Sequence, residues 1–162
     1  MISILVSETK LSYTVSGPIC IFERGSGFMV EKNDSSQPIM PWVDGNTRVF
    51  GVIAHPVTHV RAPMVFNSRF GAAGLCHIMV PIDAPPEALE TIVRGLQNVP
   101  NFGGLAVTIP HKLALAKLCD HLGTAARLTG AVNAVRFDKN GQLFGDNFDG
   151  TGFVAGCRGK GF

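Results

Sequence analysis

Three short segments hold the residue types able to do chemistry. The first is His55-Pro56-Val57-Thr58-His59-Val60-Arg61-Ala62-Pro63. The second is Ala106-Val107-Thr108-Ile109-Pro110-His111-Lys112. The third is Gly130-Ala131-Val132-Asn133-Ala134, followed by Gly145-Asp146-Asn147-Phe148-Asp149-Gly150. Lys112 and Asp149 form the most suggestive pair. A lysine acts as a proton relay when burial and a binding pocket lower its pKa towards neutrality. A nearby carboxylate orients it and holds its protonated form. Oxidation of an alcohol by hydride transfer needs such a group, because the hydroxyl proton must be removed as the hydride leaves. Spacing alone favours a plainer reading, in which the lysine opens a helix and the aspartate sits in a turn or caps the final helix.

These segments need elements to position them, and the pattern supplies candidates from residue 47 onward. Arg48 to Ile53 is a short apolar run of the buried-strand kind. Ala62 to Ala73 reads as a helix with Pro63 in its first turn, and Leu75 to Ile82 as a second strand. Pro86 to Gln97 carries Leu89, Ile92, Val93 and Leu96 at helical spacing. Leu105 to Ile109 is a third strand, Lys112 to Leu122 a helix, and Thr124 to Thr129 a shorter one. Ala131 to Phe137 and Gln142 to Asp146 flank Asp138-Lys139-Asn140-Gly141, a strong hairpin signal. Gly152 to Cys157 looks like the start of a last helix. Strand and helix alternate three times before the hairpin. The expected fold is α/β, a three-layer α/β/α sandwich with a mostly parallel sheet and one antiparallel hairpin pair. Ligands of such sheets bind at the carboxyl ends of strands, so the loops after Ile53, Val107 and Asp146 are the places to look.

The chain has 162 residues, 46% hydrophobic and 16% charged, with a net charge of +2. It can build one apolar core, and its charge gives no reason to expect nucleic acid or a membrane as partner. No apolar run approaches the ~20 residues of a membrane span, and the first residues lack the basic start of a signal peptide. Cys20, Cys76, Cys119 and Cys157 are scattered, which suggests buried thiols in a reducing, cytoplasmic setting. Residues 1–43 form an extension whose structure the sequence leaves open: a small β element, a disordered stretch, or sequence read from an upstream start. Short β-prone pieces such as Pro18 to Phe22 and Phe28 to Val30 occur there, and 31–46 is polar and linker-like. The regular domain is expected over 44–157.

Taken together and in order, the segments resemble those of the shikimate dehydrogenase family. The family motifs read roughly N-P-I-x-H-S-x-S-P, then N-V-T-x-P-x-K, then G-A-V-N-T and G-D-N-T-D-G-x-G. The match covers about residues 47–157. The resemblance implies that Lys112 is the catalytic proton relay and that Asp149 pairs with it and binds a substrate hydroxyl. It also implies that Asn133 hydrogen-bonds substrate hydroxyls and that Thr108 lines the same pocket. The implied substrate is a small hydroxylated ring acid such as shikimate or quinate, in aromatic amino-acid biosynthesis or quinate use. The implied cofactor is NADP, or NAD in some members, held by a separate Rossmann domain. The sequence is expected to stop before that domain, with 158–162 as a linker towards it, so the chain alone is expected to bind no cofactor and to be inactive as a dehydrogenase. The open face so left could promote a homo-oligomer. A non-catalytic binding module or gene remnant is the alternative.

Departures from the family pattern bear on substrate. Val60 and Ala62 stand where the family has two carboxylate-binding serines, and Ala106 stands for a pocket asparagine. Arg61 is a candidate replacement ligand for the carboxylate, or simply a solvated surface residue. Gly150-Thr151-Gly152-Phe153-Val154-Ala155 fits a dinucleotide pattern but is expected to be a false match, because the acidic residue ~20 positions on is missing. His55 and His59 are read as loop residues rather than metal ligands, since Pro56 breaks any helix between them. His77 is read as a satisfied core histidine.

Overall fold

The computed structural model describes residues 2–6, 9–15, 20–22 and 43–160, with side chains from residue 43 onward. The chain divides into two compact units, Met1–Pro38 and Ile39–Phe162. In the first unit, β1 (Ile2–Val6), β2 (Thr9–Val15) and β3 (Cys20–Phe22) form an antiparallel sheet in that order. Ile4 pairs with Leu11, and Tyr13 with both Ile2 and Phe22. These strands fall within the stretch 1–43 for which the sequence leaves three readings open. The pieces 28–30 and 31–42 lie outside the described residues.

The second unit holds a six-stranded sheet. Its strands are β4 (Arg48–Ala54), β5 (His77–Asp83), β6 (Phe102–Val107), β7 (His121–Leu122), β8 (Ala134–Phe137) and β9 (Leu143–Asp146), in the order β5-β4-β6-β8-β9-β7. The helices are α1 (Ala62–Ala72), α2 (Leu89–Gln97), α3 (Lys112–Leu118), α4 (Thr124–Thr129) and α5 (Asp149–Gly159). β4 runs parallel to β5 and β6, and β7 parallel to β9, while β8 is antiparallel to both β6 and β9. Five strands therefore share one direction, and β8 is the exception. The mostly parallel α/β sheet with an antiparallel hairpin is as the sequence suggested.

Packing follows the apolar periodicity. Leu89 and Val93 of α2 and Leu115 and Ala116 of α3 are buried against Ile53, Leu105, Val107 and Val135 on one face of the sheet. Phe70 of α1 meets Phe50 of β4 on the other face, with ring centroids 5.6 Å apart. The hairpin turn is built by Asp138, whose Oδ1 accepts the N–H groups of Asn140 and Gln142, each at 2.8 Å. Gly141 then takes φ 75°, which the Asn-Gly signal anticipated.

Several boundaries differ from the sequence reading, and three of the differences have a visible cause. β6 begins at Phe102, three residues early. The register slips between Val49 and Phe50, whose partners are Phe102 and Gly104, so a bulge absorbs one extra residue and the strand runs through both glycines. Gly104 has φ 159°, and a Cβ there would lie 2.4 Å from the Val135 carbonyl oxygen. Helix α3 stops at Leu118 rather than Leu122. Cys119 turns extended at φ −74°, ψ 135°, and Asp120 Oδ2 accepts the Leu143 N–H at 2.7 Å, drawing the chain into the sheet as β7. Helix α5 starts at Asp149 rather than Gly152, because Asn147 Oδ1 accepts the Asp149 N–H at 3.1 Å just ahead of it.

The thiols also differ from expectation. Cys119 is half-buried, and burial pushes it up to about 11. Cys157 is half-exposed and Cys76 is exposed, with Cys76 Sγ 3.2 Å from Thr47 Oγ1. His77 is packed between the Phe50 and Phe70 rings, but its buried Nδ1 has no hydrogen-bond partner. It is therefore not the fully satisfied core histidine expected. Among the described residues, no helix is long and apolar enough to cross a membrane.

Candidate active site

The topology collects the chemical residues at one edge. β4, β6 and β9 run the same way, so the loops that follow them emerge together. Antiparallel β8 begins where they end, which brings Asn133, the residue before it, to the same edge. Backbone bonds stitch the segments: Val107 N–H donates to Asn133 O at 2.8 Å, Asn133 N–H to Asp146 O at 3.0 Å, and Val132 N–H to Lys112 O at 3.0 Å.

Three of the sequence candidates meet in one network. Lys112 Nζ donates to Asp149 Oδ2 at 2.5 Å, and Asn133 Nδ2 donates to Asp149 Oδ1 at 2.6 Å. Asn133 Oδ1 in turn accepts the Phe148 N–H at 2.9 Å. Lys112 is the first residue of α3 and Asp149 the first of α5, where the positive helix end favours a carboxylate. Asp149 does not cap α5 with its side chain; Phe148 occupies the cap position. The Lys112 hydrogen bond, helped by that from Asn133 and by the Lys112 charge, holds the Asp149 carboxyl below the usual range, although burial opposes this. Lys112 leaves 30% of its side chain exposed and Asp149 56%. The pair is therefore solvent-screened, and its value lies in orientation rather than stability. One Asn133 amide hydrogen, the lysine hydrogens not given to Asp149 and spare carboxylate lone pairs are available to a ligand bearing hydroxyls.

The other candidates stand apart from that network. Thr108 is half-buried at the start of the turn into α3. Its N–H donates to Ile53 O at 3.2 Å and its carbonyl accepts the His111 N–H at 2.9 Å. Arg61 sits at the start of α1, exposed, with no hydrogen bond or ion pair from its side chain among the described residues. His55 Nδ1 lies 2.8 Å from Asp83 Oδ1, and no group of three or more His, Cys, Asp or Glu among the described residues is placed to hold a metal.

Supporting residues were harder to see in the sequence. His111 is 1% exposed, and its Nε2 bonds Ala84 O at 2.8 Å, which pins the start of α3 below Lys112. In the sequence the one local sign is a histidine directly before the candidate lysine. Asp146 Oδ1 accepts the Ala126 N–H at 3.0 Å and the Asn147 N–H at 2.8 Å, so it caps the first turn of α4 from a distant strand. Gly123 makes room for it, since a Cβ there would lie 2.0 Å from Asp146 Oδ2.

The sequence and the fold match known proteins. Residues 52–135 match the sequence model of the shikimate dehydrogenase substrate binding domain. The chain belongs to that family. It is 47% identical over 119 residues to a shikimate dehydrogenase (NADP(+)) of Rubrobacter xylanophilus, covering 74% of this chain and 42% of that protein. It is 47% identical over 116 residues to the enzyme of the same name from Methanopyrus kandleri, covering 72% and 39%. The crystal structure of shikimate 5-dehydrogenase from Listeria monocytogenes in complex with shikimate and NAD superposes with a TM-score of 0.71 at 33% identity, covering 77% of this chain and 43% of that one. The chain thus spans about two fifths of the length of the curated relatives it matches.

The relatives' names carry NADP(+), so the dinucleotide-like stretch 150–155 needs a structural test. Gly150 and Gly152 fall inside α5 rather than in a turn ahead of it, and a Cβ at either would meet nothing within 4 Å. No close backbone approach calls for glycine there.

Proposed function

We propose that residues 44–157 form the substrate-binding domain of an oxidoreductase that interconverts a ring hydroxyl and a ketone of shikimate or a related hydroxylated acid such as quinate, with NADP or NAD as the redox partner. The observation that carries this reading is the Lys112–Asp149–Asn133 network at the carboxyl edge of the sheet. Lys112 Nζ takes the hydroxyl proton in the oxidising direction and returns it in the reducing one. Asp149 keeps Nζ aimed at the pocket and accepts from a second hydroxyl. Asn133 presents its spare amide hydrogen, and Thr108 lines the same pocket. Arg61 takes the substrate carboxylate in place of the two hydroxyls whose positions are Val60 and Ala62.

In this reading the redox partner is held by a separate domain, and residues 44–157 supply recognition and the proton. The setting is cytoplasmic. Turnover by the isolated 162-residue protein with NADP or NAD would overturn that division of labour. The site itself is tested by titrating the protein with shikimate and with quinate by calorimetry, with Lys112→Ala beside it. Saturable binding that the variant weakens supports the reading; binding of neither acid by the wild type contradicts it. A second reading, a binding module without catalysis, draws on Val60, Ala62 and Ala106 together. It gains if a ligand binds tightly and Lys112→Ala leaves it unchanged.

A further inference from the structure

The carboxyl edge carries a second bonded pair outside the Lys112 network. His55 follows β4 and Asp83 ends β5, and their Nδ1 and Oδ1 atoms are 2.8 Å apart. Ala54 and Asp83 are register partners, so the pair joins neighbouring strand ends. The backbone behind it is fixed: Ala84 N–H donates to Ala54 O at 3.0 Å, and Ala84 O bonds the buried His111 ring at 2.8 Å. His55 N–H donates to Ile109 O at 3.3 Å, which ties the pair to the segment that leads into Lys112. The pair lies one to two strand spacings, roughly 5–10 Å, from the strand end that carries Lys112. A single ring-sized ligand spans that distance.

The chemistry of the pair is directional. The hydrogen bond from His55 is the main cause holding the Asp83 carboxyl below its usual range, with the Val57 N–H and the charges of His55 and His111 adding to it and burial opposing. An ionised Asp83 only accepts, so Nδ1 must donate. In the neutral ring Nε2 is then left as an acceptor, and it has no partner among the described residues. His55 leaves 42% of its side chain exposed, so the ring is open to a ligand. The same loop ends at Arg61, and a turn closed by Val60 N–H to Val57 O at 3.1 Å folds the stretch between them. One loop thus offers an uncommitted acceptor and an uncommitted cationic fork, with the side chains of Val60 and Ala62 adding no hydroxyl.

We propose that His55, oriented by Asp83, accepts a hydrogen bond from a substrate hydroxyl and, with Arg61, selects acids that carry a hydroxyl on the carbon bearing the carboxylate. The carboxylate accepts from the Arg61 guanidinium while the adjacent hydroxyl donates to His55 Nε2. Asp83 is a positioning residue. The inference rests on the substrate-site reading above and names the substrate class for it. Quinate has that hydroxyl; shikimate has a ring double bond at the same carbon and lacks it.

The experiment is an NMR titration of the 162-residue protein with quinate and shikimate, for wild type, His55→Phe, His55→Asn, Asp83→Asn and Lys112→Ala. His55→Phe should weaken quinate by roughly five- to tenfold while shikimate stays within about twofold. His55→Asn, which keeps an acceptor oxygen, should restore part of the preference. The ¹⁵N shifts of His55 should report a proton on Nδ1 in the wild type and mixed tautomers in Asp83→Asn, a readout that a purely structural pair would not couple to quinate affinity. Equal losses for both acids in His55→Phe, or no loss for either while Lys112→Ala weakens both, would overturn this proposal alone. Binding of neither acid by the wild type would overturn it together with the site reading.

Discussion

Two regions of the same sheet edge behave differently. Around Lys112, Asn133 and Asp149 the side chains hold one another before any ligand arrives, with bonds of 2.5 and 2.6 Å to the two carboxylate oxygens. Beyond the bonded His55, residues 60–62 hold little: Arg61 is exposed and unpaired among the described residues, and Val60 and Ala62 have no polar atom beyond the backbone. The first region is organised for one proton-handling task, since its geometry is set by strand ends and helix starts. The second is a loop whose side-chain chemistry can change without disturbing the sheet. The contrast separates what the domain does to a ligand from which ligand it accepts.

The largest effect should come from making the loop resemble the family pattern. The double variant Val60→Ser, Ala62→Ser restores two hydroxyl donors to a carboxylate. Each charged hydrogen bond is worth about 1.5–3 kcal/mol, so shikimate affinity should rise roughly 10²- to 10⁴-fold by calorimetry. An unchanged affinity would mean that the loop does not face the carboxylate. On the network side, Gly123→Ala forces a Cβ into the space of Asp146, which would lie 2.0 Å away. A loss of about 1–3 kcal/mol in urea unfolding is expected, with weaker ligand binding because Asp146 anchors the Asn147 N–H. Stability equal to wild type would show that Asp146 can move without cost.

Arg61→Ala sharpens the contrast further. Shikimate and quinate should each bind about tenfold more weakly, given one lost charged contact, while an uncharged polyol such as inositol should be unaffected. Equal losses for charged and uncharged ligands would remove Arg61 as the carboxylate ligand. The smallest effect concerns pH. Asp149 is depressed in the folded state, so its stabilising contribution is present above the unfolded value, roughly pH 4, and is lost as pH falls through the lower folded value. Because the pair is largely exposed, the stability difference between wild type and Asp149→Asn should be small at neutral pH and should vanish in acid. A difference that grows in acid would contradict the ion pair.

Much of this was legible in the sequence, for physical reasons. Apolar strand runs and the 3.6 spacing of Leu89, Ile92, Val93 and Leu96 reveal β4, β5 and α2, because burial leaves a strong pattern, while α1, which buries no residue, is legible from Pro63 in its first turn. Lys112, Asn133 and Asp149 were found because three segments were taken in order rather than singly. What escaped depends on distant partners. The Gly103-Gly104 bulge depends on a slip in register against Val49 and Phe50. Leu122 fits the helical spacing of α3, yet Asp120 bonds Leu143 and diverts the chain. His111 and the His55–Asp83 pair rely on contacts 27 and 28 residues away in the chain, which no local signal announces.

The most direct test of the central claim, a ligand site centred on Lys112 and Asp149 at the carboxyl edge, is backbone amide shift mapping as shikimate or quinate is added to the ¹⁵N-labelled protein. Expected are saturable shifts concentrated in 55–61, 106–112, 131–133 and 147–150, absent or altered in Lys112→Ala. Shifts confined to the groove of about 420 Å³ beside His121, Arg136 and Phe144, or no saturable shifts at all, would contradict it.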